Sequence, residues 1–319
     1  MLAYYRVTDN HLEPMTDPEP GCLVSLIRPD EADLVHIREL AGVSESVLAD
    51  ALDPGERPRL DEDDGIVYAV FRAPWIEGNT LRSDFTSPVT LIFTAGYTVL
   101  VDPNGCRSVE LYFAGHGAKH MRNTRARIMA CLFRTIAERY VSVLRDMNET
   151  VRDSERNLGS MGMERQLELL HVQNCLTYFQ AALRGNELVM ERIQRTRLYL
   201  EGALPFEGTD EDSDMFDDTL TDIRQAFYTS QIYADVMKSL MNAHATVIST
   251  KVNTIMKILT SLTLVIMLPT LVTSMYGMNV PLPFQEEPRA FLIVISLCVG
   301  AAVLAMYIVW KKGWFSSRS

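Results

Sequence analysis

Hydroxyl, amide and thioether side chains and a glycine recur along one side of the apolar stretch that surrounds residue 265. Their spacing alternates between three and four residues, which places them on one seam of a helix with a heptad-like repeat. Polar groups at membrane depth face neighbouring helices or water, so the seam either lets helices pack closely or lines an aqueous path. It holds hydroxyls, an amide, two thioethers and a glycine, without charge. Its members are Asn253, Met256, Thr260, Thr263, Met267, Thr270, Ser274 and Gly277.

The segment Leu204–Asp218 concentrates carboxylates and contains no basic residue. Its composition predicts a loop. Acidic segments are commonly solvated surface, and a role in cation binding is the alternative; both readings stay open. The carboxylates are Glu207, Asp210, Glu211, Asp212, Asp214, Asp217 and Asp218.

Residues with catalytic potential are sparse in the rest of the chain. His116 and His120 have the i, i+4 spacing of zinc ligands on a helix, but Gly115 and Gly117 disfavour a helix there and no HExxH motif surrounds them. No P-loop motif is present. The sequence therefore predicts neither an enzyme nor transport driven by ATP hydrolysis.

Charge and cysteine content narrow the class of protein further. The chain has 319 residues and a net charge of −11, which disfavours nucleic acid as a partner because phosphate binding needs clustered Lys and Arg. Five scattered cysteines without a CxxC pair fit a reducing cytosol better than a disulfide framework. The first residues lack the basic and apolar run of a signal peptide.

Residues 1–118 are predicted to form an α/β domain. Short apolar runs between turn residues indicate strands, and two segments with plausible N-caps indicate short helices. The predicted strands are Cys22–Ile27, Gly65–Phe71, Val89–Thr94 and Tyr97–Val101, and the predicted helices are Asp30–Leu40 and Ser44–Leu52.

Residues 119–218 are predicted to contain two long antiparallel helices followed by the acidic loop. Apolar residues recur at helical spacing over Arg122–Leu158 and Met163–Gly202, and Gly159–Gly162 between them is typical of a turn.

Two apolar stretches near the C-terminus, Ile258–Met275 and Phe291–Trp310, are each long enough to span a hydrocarbon core of about 30 Å. The short connection, residues 277–290, makes them an antiparallel hairpin. Basic residues lie at the opposite end of the hairpin, including Lys311 and Lys312 in the tail, residues 311–319. By the positive-inside rule we expect both termini in the cytoplasm and the connection outside the plasma membrane.

A single helix is predicted over residues 219–276, because no glycine or proline occurs between Asp218 and Pro269. It would be roughly 85 Å long at 1.5 Å per residue, so its first half would leave the bilayer as a stalk. A helix of this length needs partners, either identical chains or the preceding helices. Around a common axis, rings of Met256 and Met267 would form apolar constrictions that gate by dewetting.

Tyr276-Gly277-Met278-Asn279 stands at the end of the first span, and with it the chain resembles the CorA family of divalent-cation channels. The likeness includes the two C-terminal spans with a short acidic loop, the basic cluster after them, the long stalk helix and the ERPRL segment at Glu56–Leu60. It covers nearly the whole chain.

The resemblance implies a funnel-shaped homopentamer in membrane lipid, with the first span lining the pore and the second span outside it. It implies that hydrated Mg²⁺ is the substrate and is selected at the outer mouth by Tyr276, Gly277, Met278 and Asn279. Neutral carbonyls and amides suit this ion because Mg²⁺ sheds its water reluctantly. A charged ring would hold a divalent cation too tightly for rapid release.

Family members also sense cytosolic Mg²⁺ through acidic residues between neighbouring cytosolic domains, which implies a second role for the ion as a regulatory ligand. The segment LADALDPGERPRL puts one candidate at Asp50. Counting back along the stalk from Asn279 puts another at Asp218, with Asp217 beside it. Loss of the bound ion would loosen the oligomer and open the pore.

Two further acidic regions, the connection between the spans and the middle of the stalk, bear on the resemblance. Glu286 and Glu287 in the connection would either concentrate cations near the mouth or simply keep the loop soluble. Farther along the stalk, Asn242 and Asp235 stand where a second acidic site can occur in the family, which argues against a two-site sensor.

Three alternatives stay open. A zinc-transporting branch usually replaces the methionine of the motif, so Met278 argues against zinc, whereas cobalt and nickel stay open as secondary substrates. A membrane-anchored scaffold is the rival from another class, and it would need neither the polar seam nor the Gly-Met-Asn ending. Import and efflux are not distinguished.

Overall fold

The computed structural model describes residues 1–8, 11–76, 85–115, 124–156, 162–199, 210–280, 282–283 and 288–312, without the side chains of 196–199 and 210–212. The chain divides into two compact units, Met1–Ser239 and Leu240–Ser319.

A seven-stranded sheet organises the first unit. Its order is β2-β1-β3-β7-β6-β5-β4, with β3 and β7 parallel and all other neighbours antiparallel. The strands are β1 Leu2–Thr8, β2 His11–Met15, β3 Leu23–Ile27, β4 Arg59–Asp63, β5 Ile66–Pro74, β6 Thr86–Phe93 and β7 Thr98–Asp102.

Seven helices complete the described part of the chain. Asp30 and Ser44 cap the first two through side-chain hydrogen bonds, as their residue types predict. The helices are α1 Glu31–Ala41, α2 Glu45–Leu52, α3 Arg107–Phe113, α4 Arg125–Arg156, α5 Met163–Tyr199, α6 Asp210–Tyr276 and α7 Ala290–Lys311.

Helices cover both faces of the sheet, because successive strand side chains point to opposite faces and both sets are apolar. Val24 and Val101 join Ile37 of α1 in the core beneath α1 and α2. On the other face Phe71 of β5 meets Phe133 of α4 edge to face, with ring centroids 3.8 Å apart.

Asn186 of α5 fastens this helix to the backbone of β5. Its Oδ1 accepts from the Arg72 amide at 2.9 Å and its Nδ2 donates to the Arg72 carbonyl at 2.8 Å. Tyr140 of α4 donates to the same carbonyl at 3.0 Å. One residue of the sheet thus fixes the register of both long helices.

The contacts between α4 and α5 show that the two helices are antiparallel. Tyr140 packs on Phe179, and nearer the connection Arg165 donates to Ser154. Between these two contacts the chain moves toward the C-terminus of α4 and, by the same number of residues, toward the N-terminus of α5. The predicted pair of antiparallel helices is therefore confirmed, while the predicted turn at Gly159–Gly162 lies mostly outside the described residues.

The first half of α6 lies antiparallel to α5 and is tied to it by an ionic cluster around the buried carboxylate of Glu187. Glu187 is only 7% exposed and accepts from Arg184 and Arg224, at 2.5 and 2.8 Å. Arg224 also contacts Glu191 at 2.7 Å. Burial alone would raise the pKa of Glu187, but the two guanidinium groups outweigh it and the pKa lies below its ordinary value.

The sequence-based strands and helices of the first unit are confirmed, with three omissions among strands and one among helices. β2 and β4 are only five residues long and contain charged or polar residues, and α3 has only seven residues, so these three lack the apolar run or the periodicity on which the prediction rests. β1 does contain an apolar run, Leu2–Tyr5, which the sequence-based prediction missed.

The structure corrects the prediction of a loop for the acidic segment, Leu204–Asp218. Residues 210–218 form the first turns of α6 and are not a loop, while 204–209 lie outside the described residues. Acidic residues are favourable at a helix N-terminus, and Met215 and Phe216 between them are buried. From there α6 continues to Tyr276, so the predicted single helix over 219–276 is confirmed.

Four of the five cysteines are buried in the first unit, and none of the five forms a disulfide. Burial raises the pKa of the Cys22, Cys106 and Cys175 thiols. The fifth, Cys298 in α7, is partly exposed.

Candidate functional site

Two helices are long and apolar enough to cross a membrane: the later part of α6, and α7. Both predicted spans are therefore present as helices. They touch in the second unit, where the Cys298 thiol lies 3.7 Å from the Pro269 carbonyl. Most of their apolar side chains are exposed in the single chain, which is unfavourable in water and natural in lipid.

All eight seam residues are exposed, seven in α6 and Gly277 directly after it. The less exposed positions of the same helix segment follow a different line that includes Thr254, Ser261, Val265, Leu268 and Val272. At 3.6 residues per turn this line is roughly opposite to the seam. The only other described element of the second unit is α7, so α7 covers the far side of α6 and the seam does not serve packing between the two spans.

The seam hydroxyls are oriented by the helix itself. Thr263 donates to the Leu259 carbonyl and Thr270 donates to the Ile266 carbonyl, each at 2.9 Å. Because each hydroxyl proton is used within the helix, the oxygen presents its lone pairs outward. These positions can therefore accept hydrogen bonds from water, including water that surrounds a cation.

The motif Tyr276-Gly277-Met278-Asn279 lies at the C-terminal end of α6. The Gly277 amide donates to the Thr273 and Ser274 carbonyls, at 3.0 and 3.3 Å, and the Met278 amide donates to the Met275 carbonyl at 3.2 Å. This tightened last turn uses the amide protons of Gly277 and Met278. Toward a cation, the exposed segment offers neutral oxygens, from its carbonyls and from the Asn279 side chain.

Tyr276 ties the end of the helix to the segment that follows the motif. Its hydroxyl donates to the Pro283 carbonyl at 3.2 Å, seven residues along the chain. The resemblance to the family's motif put Tyr276 in the sequence-based site. Its partner was missed, because a contact with a backbone carbonyl depends on the fold and not on residue type.

Asp50, the first regulatory candidate, is paired within its own chain. Its carboxylate lies 2.6 Å from Arg59 on β4, and Arg59 also contacts Glu56 at 2.7 Å and Tyr68 at 3.1 Å. The sequence-based site missed Arg59, although it belongs to the ERPRL segment. A cation that reaches Asp50 would have to share the carboxylate with this guanidinium.

Asp217 and Asp218 lie together near the start of α6. Asp217 accepts from Gln194 of α5 at 2.5 Å, and both carboxylates are exposed. Burial raises the pKa of Asp222, one turn on, with smaller contributions from Glu138 and Asp218 that the charge of Arg134 opposes. The structure does not bring either residue to Asp50. α2 packs on one face of the sheet, whereas α6 contacts α4 and α5, and α4 packs on the other face.

Within the described ranges, no group of three or more metal-ligating side chains converges. Lys311 ends α7 and Lys312 follows it, both exposed. Glu286, Glu287, His116 and His120 lie outside the described residues.

Compared with known proteins, residues 22–312 match the family described as CorA-like Mg²⁺ transporter protein. The chain belongs to this family. The cobalt/magnesium transport protein CorA of Methanocaldococcus jannaschii is 26% identical over 298 residues, 90% of this chain and 89% of the relative. The chain is thus a CorA-family membrane transporter of divalent cations, and the recognition made from the sequence is confirmed.

Solved structures share the CorA fold. The complete CorA magnesium transporter from Methanocaldococcus jannaschii has a TM-score of 0.82 at 22% identity and covers 98% of each chain. The ZntB cytoplasmic domain from Vibrio parahaemolyticus has a TM-score of 0.60 at 12% identity over 76% of this chain and 96% of its own. The mixed sheet and long helices are therefore features of the fold.

Proposed function

We propose that this chain is one subunit of a homopentameric magnesium channel that passes the hydrated ion through a pore lined by α6. The observation that carries the proposal is the uncharged seam of oxygen-bearing side chains, exposed on the face of α6 that α7 leaves uncovered. Identical helices around a common axis would bring these seams together. The long α6, which takes part in both units, supplies the surface for such an assembly.

The outward lone pairs of Thr263 and Thr270 fit a cation that keeps its water. The outer surface of hydrated Mg²⁺ consists of water hydrogens, so it needs acceptors along its path. Neutral acceptors bind hydrated Mg²⁺ less tightly than a ring of charged groups would, so the ion can leave each position quickly. Met256 and Met267, which are 54% and 64% exposed, are the proposed apolar constrictions.

Selectivity is assigned to the segment Tyr276, Gly277, Met278 and Asn279. Gly277 lets the chain leave the helix, and Asn279 presents a neutral amide oxygen. Tyr276 positions the segment through Pro283. Glu286 and Glu287 would concentrate cations at the outer mouth.

No ATP-binding motif was found in the sequence, and the membrane potential is sufficient to drive entry. At about 100 mV inside negative, a divalent cation gains about 4.6 kcal/mol on entering, twice the value for one charge. This direction requires both termini on the cytoplasmic side of the plasma membrane, as Lys311 and Lys312 indicate by the positive-inside rule.

Gating is assigned to cytosolic Mg²⁺ held between subunits. Since Asp50 lies apart from Asp217 and Asp218 in one chain, a shared ion would join carboxylates of neighbouring chains. Two carboxylates pressed together repel, and a divalent cation reverses the sign of that interaction. Loss of the ion would then favour the open pore by a population shift.

Cobalt is the second substrate to test, because the relative from Methanocaldococcus jannaschii is named for both cobalt and magnesium. Both hydrated ions would meet the same neutral oxygens. Competition between the two cations in one uptake assay separates a shared pathway from a magnesium-specific one.

The decisive experiment is uptake into proteoliposomes that contain a magnesium-sensitive dye. We expect uptake that depends on a negative interior, is abolished in Asn279→Ala and falls in Thr270→Val, which keeps the side-chain shape and loses the oxygen. Ser296→Ala is the matched control, because Ser296 donates to the Leu292 carbonyl on α7, away from the seam. Wild-type oligomer without uptake at any internal Mg²⁺ concentration would refute the proposal and favour the scaffold.

The gating assignment has its own test in the same assay. Asp218→Asn should raise the internal Mg²⁺ concentration at which uptake stops, whereas Asp214→Asn, an exposed change one turn earlier on α6, should not. Equal closure in both variants would remove Asp218 from the regulatory site and leave the pore assignment intact.

A further inference from the structure

A cavity of about 260 Å³ opens in the first unit at the ends of β3, β5 and β7. β3 and β7 are parallel neighbours, and both end at this edge. After β3 the chain passes to α1 on one face of the sheet, and after β7 it passes to α3, which packs with α4 on the other face. Such a switch point between parallel strands is where α/β sheets bind ligands.

Three arginines line this cavity: Arg28 after β3, Arg107 at the start of α3, and Arg139 of α4. Among the described residues of the lining, Glu110 is the one carboxylate, and it contacts Arg107 at 2.7 Å. The described part of the lining therefore carries more positive than negative side chains, in a chain whose net charge is −11. A cationic recess in an acidic protein concentrates anions locally.

The backbone is shaped to hold the first of these arginines. Arg28 has φ of +49°, a value that non-glycine residues seldom adopt, and its Nε donates to the Asn104 carbonyl at 2.8 Å. Gly105 has φ of +73°, and a Cβ there would lie 2.7 Å from the same Nε. Only glycine leaves room for this guanidinium against the turn.

Arg139 supplies the second observation. Its Nε is buried, and among the described residues it has no hydrogen-bond partner. A buried donor of a charged group normally finds an acceptor, because leaving it unpaired is costly. A ligand oxygen in the cavity would satisfy it.

We propose that this cavity binds a phosphate monoester through Arg28, Arg139 and Arg107. Planar guanidinium groups match phosphate oxygens in pairs, and the phosphate dianion suits the excess charge. The volume is below the usual range for drug-sized ligands, so the carbon skeleton is small and lies against Trp75. The site is independent of the proposed pore.

Calorimetric titration of the purified full-length protein with glycerol 3-phosphate tests this site, with glycerol as the neutral control ligand. We expect saturable binding of the phosphate and none of glycerol. Arg139→Gln should weaken binding at least about tenfold, the loss of one charge-assisted hydrogen bond. Arg152→Gln, an exposed change of the same charge on the same helix, should leave it unchanged.

Hydrogen exchange on the unmodified protein keeps the proposal testable if a variant fails to fold. Glycerol 3-phosphate should slow exchange in the turn after β7 and in α4 around Arg139. The same protection in nanodiscs of phosphatidic acid, without added ligand, would assign the phosphate to lipid. Absence of binding and of protection by either source, or equal binding by Arg139→Gln and wild type, would overturn it.

Discussion

Tyr276 differs from the other residues of its motif in having an assigned side-chain contact of its own. Its hydroxyl holds the Pro283 carbonyl at 3.2 Å, so the turn that carries Gly277 to Asn279 is fastened at both ends. In the proposed channel, Tyr276 would therefore act on transport by fixing the geometry of the neighbouring oxygens, without touching the ion.

Tyr276→Phe removes this hydroxyl and keeps the ring. A net hydrogen bond contributes about 0.5–1.5 kcal/mol, so we expect uptake to fall by roughly two- to tenfold and discrimination between Mg²⁺ and Co²⁺ to narrow. Uptake assays in proteoliposomes measure both quantities. Tyr307→Phe, an exposed tyrosine of α7, is the control, and equal behaviour of the two variants would contradict the positioning role.

The stability of the first unit depends in part on the side-chain amide of Asn186, which holds α5 to β5. Asn186→Ala leaves the Arg72 amide without its acceptor, whereas the Arg72 carbonyl keeps Tyr140. We expect a loss of about 1–3 kcal/mol in the free energy of unfolding, seen as a lower melting temperature by circular dichroism. Asn174→Ala, exposed on the same helix, should melt with the wild type; a shared shift would refute the explanation.

Side-chain partners of this kind cannot be predicted from the sequence alone. The types and spacing of Thr263, Thr270 and Asn279 predict a polar seam and an amide at its end. They do not reveal that Asp50 is held by Arg59, because that pair depends on how α2 meets β4. A candidate carboxylate can be found from sequence, but its availability to a cation requires the fold.

At the scale of elements, prediction succeeded where one strong periodic signal extended over many residues. α6 lacks glycine and has one late proline, so its length follows from composition. The edge strands β2 and β4 carry HLEPM and RLDED, whose pairing depends on a neighbouring strand and not on their own apolar content. The prediction of a loop at the acidic start of α6 is wrong, because carboxylates are favoured at a helix N-terminus as well as in solvated loops.

The contact between α5 and α6 should weaken in acid. The pKa of Glu187 is lower in the folded chain than its unfolded value of about 4.3, so the charged form stabilises the fold fully above that value. This contribution is lost as pH falls through the folded pKa. We expect the melting temperature of wild type to decline more steeply below about pH 4.3 than that of Glu187→Gln.

Glu168→Gln is the control for this prediction, because Glu168 forms an exposed pair with Arg165 and should retain the wild-type pH profile. If Glu187→Gln and wild type decline in parallel, the ionic cluster does not couple the two helices.

For the whole molecule, the proposed function requires the exposed surface of the second unit to be covered by lipid on its apolar side and by identical chains along the α6 seam. A pentamer would have five times the 36.0 kDa of one chain. Native mass spectrometry of the protein in detergent measures this directly. A monomer that still transports would exclude a pore built from several seams, and another subunit count would revise its width.

The burial of four thiols has a practical consequence for mapping the conduction path. Folded protein should react with a maleimide at Cys298 at most, because the other cysteines are shielded and three of them are further disfavoured as thiolates by their raised pKa. Replacing Cys298 alone would give a folded protein without a cysteine that reacts with the maleimide. Single cysteines placed along the α6 seam could then be tested one by one with a water-soluble reagent. Their reactivity would show which seam positions are open to water, as the proposed pore requires.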